Sequence, residues 1–140
     1  MLRLIKDGVI VEDDSAPAGE AAAPAATRQV YTLEQWLALA DKTDSAVQLE
    51  ADEPPAPLLD HLDKLSLIVI HFHAFMDGRG FSYARELREK GYTGELRAAG
   101  HFIRDQLTYM QRVGFNAFAM ADDSQLGAAL ESLNQFTEFY

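Results

Sequence analysis

From Leu65 to Met120 the chain reads LSLIVIHFHAFMDGRGFSYARELREKGYTGELRAAGHFIRDQLTYMQRVGFNAFAM. An apolar run ends in a glycine-flanked charged turn, Asp77-Gly78-Arg79-Gly80. An amphipathic segment follows, then a short strand carrying Glu95 and Arg97, a second amphipathic segment and a last short apolar strand. Strand, helix, strand, helix, strand at this spacing specifies βα units that feed a parallel sheet.

The expected strands are 45–50, 67–73, 95–99 and 116–120, and alternation sorts their side chains onto two faces. One face collects Val47, Leu49, Ile68, Ile70, Phe72, Leu96, Ala98, Phe118 and Met120. The other collects Gln48, Glu50, Val69, His71, His73, Glu95, Arg97, Ala117 and Ala119. A doubly wound sheet buries both faces under helices and needs apolar residues on both. Here only one face suits helices, so the polar and small set is expected to point into a barrel-like segment.

The remaining segments fit this plan. Leu2 to Glu12 alternates around Asp7-Gly8, a type I′ hairpin signal. Residues 13–29 form an Ala/Pro-rich loop without large apolar side chains to offset its ordering entropy. Thr32 and Gln35 make a capping-box pattern for a helix in which Leu33, Trp36, Leu37 and Ala40 share one face. Pro54-Pro55 starts a second helical stretch through Leu58, Leu59, Leu62 and Leu65. Helices are also expected from Phe81 to Lys90, ended by Gly91, and from Phe102 to Val113, ended by Gly114. Asp122-Asp123-Ser124 caps a last helix through Leu126, Ala129, Leu130 and Leu133, and Phe136 to Tyr140 packs as an edge strand or at an interface.

The fold class expected is therefore α/β: four successive βα units in a parallel sheet, half-TIM-barrel-like, preceded by a small β-hairpin and a helix. Four units are half the eight that close a TIM barrel. A second subunit, or the hairpin and the Trp36 helix, would cover the open face. A flavodoxin-like layered sheet is the alternative. Exposed sheet edges lead to the expectation of a homo-oligomer.

At 140 residues the chain fits a single domain. A net charge of −10 argues against nucleic acid as a partner, since binding it takes a basic face. With no cysteine, thiol catalysis and thiolate-bound iron–sulfur or zinc are excluded. No stretch has the apolar length for a membrane span and no signal peptide is evident, so a cytoplasmic protein is expected.

In parallel α/β proteins the loops after the strands carry the site, because helix N-termini also point there. That rule selects Asp77, Gly78, Arg79, Gly80, Arg97, Arg104 and Asp105 as ligand-binding residues, with the guanidinium groups holding a small oxyanion or carboxylate. Alternatively Arg97 pairs with Glu95 or Glu50, and Asp77 and Arg79 knit the turn. His71 and His73 share a strand face, but a catalytic zinc needs a third protein ligand, and no metal is assigned. The chain has no P-loop, no GxGxxG and no GxSxG.

The segments DGRGFSYARELRE, GELRAAG and IRDQLTYMQRVGFNAFA resemble a bacterial domain-of-unknown-function family, numbered nine-three-four, encoded beside siroheme-containing sulfite reductase. The resemblance runs from about Leu65 to Ala119. It implies an accessory protein of assimilatory sulfite reduction, often labelled a probable oxidoreductase, with sulfite reductase as a possible partner. Two alternatives stand beside it: a small enzyme acting on a sulfur oxyanion or a carboxylated substrate, and a scaffold with no ligand. Cofactor and catalytic residues stay unassigned. Where family members often carry a cysteine this chain has Val113, and where they have NFPxFxDGRG it has His71-Phe72-His73-Ala74-Phe75-Met76-Asp77-Gly78-Arg79-Gly80.

Overall fold

The computed structural model describes residues 2–13, 16–17, 28–50, 52–72, 78–101, 106–120 and 126–131. The strands are β1 (Leu2–Lys6), β2 (Val9–Asp13), β3 (Ala16–Pro17), β4 (Gln29–Thr32), β5 (Ser45–Leu49), β6 (Leu65–Phe72), β7 (Glu95–Gly100) and β8 (Ala117–Met120). Three α-helices, α1 (Leu33–Leu37), α2 (Gly78–Glu89) and α3 (Leu107–Val113), and a 3-10 helix (Ala56–Lys64) lie among them. Residues 126–131 are also helical.

All eight strands form one sheet in the order β2-β1-β8-β7-β6-β5-β4-β3. From β3 to β8 every pairing is parallel, and β1 joins β8 and β2 antiparallel. The parallel strands succeed one another without reversal. Crossovers of a single hand then place every helix on the same face.

The buried clusters bear this out. Val47, Leu49, Ile68, Ile70, Phe72, Leu96, Ala98 and Phe118 pack with Trp36, Leu58, Tyr83, Ala84, Leu87, Leu107, Met110, Val113, Leu126 and Ala129. The opposite face forms two small clusters that contain no helical residue: Leu4, Ala117 and Ala119 with Val11 and Ala99, and Ala46, Leu67 and Val69 with Val30 and Ala99. The alternation read from the four parallel strands is therefore the observed division.

The helix-free face is nevertheless buried, and the sheet's own geometry does this. Its terminal strands, β2 and β3, are separated in the chain by only two residues. From Asp13 to Ala16 an extended chain spans about 11 Å, whereas the two edges of a flat eight-stranded sheet lie about 34 Å apart. The sheet must curl until its edges meet. Side chains agree: Asp13 Oδ2 on β2 is 3.5 Å from Nη2 of Arg28, the residue before β4. It is also 2.7 Å from Arg97 Nη2 on β7. Following β2 directly, β3 pairs with β4, so the two together carry the sheet across the seam.

The register has the stagger that closure requires. Thr32, Gln48, Val69, Arg97, Ala117, Lys6 and Val9 lie at one level, pair by pair. Val30, two residues before Thr32, pairs with Pro17. One circuit thus climbs about ten residues along the chain from β2 to β3, the shear of a small barrel.

Four expectations need revision. The hairpin forms as expected, with Asp7 and Gly8 both at positive φ, but it extends the sheet beside β8 instead of capping an open face. Helix α1 packs on the helical side, where Trp36 is buried and donates from Nε1 to Ser45 Oγ at 2.9 Å. Residues 13–29, expected as a loop, include β3 and the start of β4; Ala16–Pro17 carries no strand signal, and its pairing is decided by β4 alongside. The stretch after Pro54-Pro55 is a 3-10 helix broken at His61, φ −129°. The expected strand at 136–140 lies outside the described residues.

Candidate functional site at the carboxyl ends of the strands

Strand β6 turns Ile70 and Phe72 toward the helices and His71 toward the barrel interior. The start of α2 sits directly on this strand end, and Gly80 makes that possible. A Cβ at residue 80 would collide with the Phe72 ring, coming within 2.6 Å of its Cζ, and would lie 3.2 Å from Ile70 Cγ2. The second glycine of DGRG is thus a packing residue. It brings the first turn of α2 onto the end of β6, with the neighbouring Arg79 exposed.

On the interior side of the same rim stands a histidine–carboxylate pair. Glu50, just past β5, places Oε2 2.9 Å from His71 Nδ1. Its Oε1 accepts from Gln48 Nε2 at 3.2 Å, and its backbone N–H donates to Glu53 Oε1 at 2.9 Å. Gly100, at φ +105°, closes the other side. A Cβ there would strike the Phe72 carbonyl oxygen and stand 3.0 and 3.1 Å from His71 Cδ2 and Nε2. Beyond it, the His101 N–H donates to that carbonyl at 2.9 Å.

Arg97 belongs to a different group. It is buried inside the barrel, where Nε and Nη2 donate to Glu95 Oε2 at 2.9 and 2.6 Å, and Nη2 also to Asp13. Lys6 Nζ reaches Glu95 Oε1 at 3.0 Å, and Arg28 lies 3.9 Å from the same oxygen. Here a five-residue ion cluster joins β1, β2, β7 and the entry to β4. Of the two roles open to Arg97, these contacts describe the ion pair with Glu95. Asp77, Arg104 and Asp105 lie outside the described residues, as does His73. Among the described residues no group of three metal-ligating side chains occurs.

Two further features escaped sequence reading. Arg88 on α2 donates from Nε to the Gly114 carbonyl and from Nη1 to the carbonyls of Tyr92 and Gly94, each at 2.9 Å. It therefore ties the ends of α2 and α3 to the start of β7. Burial lowers its affinity for its proton. Tyr92, beneath it, donates to the Glu95 carbonyl at 3.0 Å, and burial pushes its phenol well above the ordinary range. Neither residue carries a motif, since the carbonyls that Arg88 meets converge only in three dimensions.

Comparison with known proteins finds a match over residues 46–140 to the family model described as bacterial protein of unknown function (DUF934). No curated protein and no solved structure matches. The match covers β5 to the end of the chain, with the rim just described, whereas β1 to β4 precede it.

Proposed function

The chain belongs to the DUF934 family of bacterial proteins, and on that premise we propose that it is an accessory protein of assimilatory sulfite reduction. It binds a small oxyanion or carboxylate, free or presented by a partner such as sulfite reductase, at the carboxyl rim of the barrel. The binding set is Arg79 with Gly78, joined by Asp77, Arg104 and Asp105; Gly80 seats the helix and Arg97 braces the barrel beneath. The observation that carries this reading is the seating of α2: Gly80 drops the helix start onto Phe72 and leaves Arg79 at the surface. A guanidinium beside the positive end of a twelve-residue helix favours an anion through both charge and directed N–H groups. In this reading the protein works in the cytoplasm; among the described residues no helix is long and apolar enough to cross a membrane. Self-association was expected from unpaired edges. Because β2 and β3 bring the edges together within one chain, partner contact falls to the rim.

The test is a titration of the protein with sulfite and sulfate beside a thermal melt, for the wild type and Arg79→Ala. Loss of anion binding with a stability change within about 0.5 kcal/mol, the usual range for a surface substitution, supports the reading. Undiminished binding in the variant, or its unfolding, defeats it.

A further inference from the structure

We propose that His71 and Glu50 form the proton-exchange pair of this rim, and that the ligand is an oxyacid anion that gains or loses a proton near neutral pH. For the ligand's class the inference rests on the anion-binding reading above; its chemistry comes from the pair itself.

With Glu50 Oε2 2.9 Å from Nδ1, the carboxylate fixes Nδ1 as the protonated nitrogen. Nε2 then becomes the position where a proton is exchanged. Gln48 holds the Glu50 carboxylate and Glu53 anchors the Glu50 backbone N–H, so the imidazole is oriented from behind. In front, the Cδ2–Nε2 edge lies against Gly100, where any side chain would crowd it. The neighbouring inward positions of β7 and β8 are Ala99 and Ala119, with Ala99 and Gly100 both partly exposed. An ordered base, a carboxylate behind it and a wall of small residues beside it are the parts of a proton-transfer site. Among the described residues, the other titratable groups on the adjoining strand ends are Asp52 and Glu53 after β5 and His101 after β7.

The chemistry of Glu50 selects the ligand. A fully deprotonated anion meets the carboxylate's repulsion, whereas one arriving with its proton can surrender it at Nε2. In that step the ligand O–H bond breaks and the Nε2–H bond forms. The imidazolium is then paired with Glu50 on one side and the anion on the other. Reversal returns the proton, and nothing is oxidised or reduced.

Calorimetric titrations with inorganic phosphate, sulfite and sulfate, at neutral pH in two buffers of unlike ionisation enthalpy, count the protons exchanged on binding. Phosphate and sulfite titrate near neutrality and sulfate does not. Phosphate or sulfite should bind with uptake of a substantial fraction of one proton, and severalfold more tightly than sulfate, which brings no proton and meets the Glu50 charge. His71→Gln should abolish the exchange, Glu50→Gln should reduce it severalfold, and His101→Gln should leave it unchanged. Thermal melts confirm folding, and the Glu50 variant provides the same test if the His71 variant does not fold. Anion binding without proton exchange, or exchange that persists in the His71 and Glu50 variants, overturns this inference while leaving the Arg79 reading intact. Failure of all three anions to bind overturns both.

Discussion

At the scale of single residues, the buried phenol of Tyr92 couples stability to pH. Tyr92 is nearly fully buried, and its phenol is held protonated by burial, with the Glu95 charge acting in the same direction and Arg88 opposing it. A raised folded-state pKa means that the folded protein keeps a proton the unfolded chain would release. The associated stability is therefore complete below the unfolded tyrosine's value of about 10 and is lost as pH climbs beyond it. Denaturant melts across the alkaline range should show a steep decline from that point. In Tyr92→Phe the decline should flatten, while stability at neutral pH falls by about 1 kcal/mol for the lost hydrogen bond to the Glu95 carbonyl. An unchanged alkaline slope in the variant would show that another group governs it.

Among elements, α2 shows how one glycine sets a docking distance. Within the DGRG turn, Gly80 serves the contact with Phe72 and Ile70. Gly80→Ala should overpack this contact and cost about 1–3 kcal/mol, despite alanine's higher helix propensity. Combining it with Phe72→Leu should recover part of the loss, because the smaller side chain leaves room for the new methyl group. Urea denaturation of the four members of that cycle gives the coupling; additive losses would mean that the helix start does not bear on the Phe72 ring. The same element illustrates what sequence can reveal. The apolar stripe of α2 and the Gly91 terminus were legible, since Phe81, Ala84 and Leu87 recur at helical spacing. The Arg88 clamp was not, because its three carbonyl partners belong to loops whose positions depend on β7 and α3.

For the whole molecule, the decisive feature is closure. Arg97 links β7 to β2 through Asp13 and to its own strand through Glu95, across an interior walled by Leu4, Leu67, Val69 and Ala117. Arg97→Ala should cost about 3–5 kcal/mol by stranding buried carboxylates. Arg97→Met with Glu95→Gln should cost much less, since it removes the charge with its partner. Equal losses in the two proteins, measured by chemical denaturation, would indicate that packing rather than charge pairing fixes the seam.

The sequence by itself determined the parallel βα order, the hairpin at Asp7-Gly8, and the division of each parallel strand into a helix-facing and an inward face. These are local properties: side-chain alternation, helical spacing and the positive φ that Asp-Gly tolerates all act within a few residues. Only the tertiary structure decided that the N-terminal strands complete the barrel, that Arg97 reaches across to Asp13, and that Glu50 stands behind His71. Each depends on the register accumulated around the sheet, which brings residues 13, 28, 95 and 97 together. A stagger built up over successive strand pairs cannot be read from any one of them.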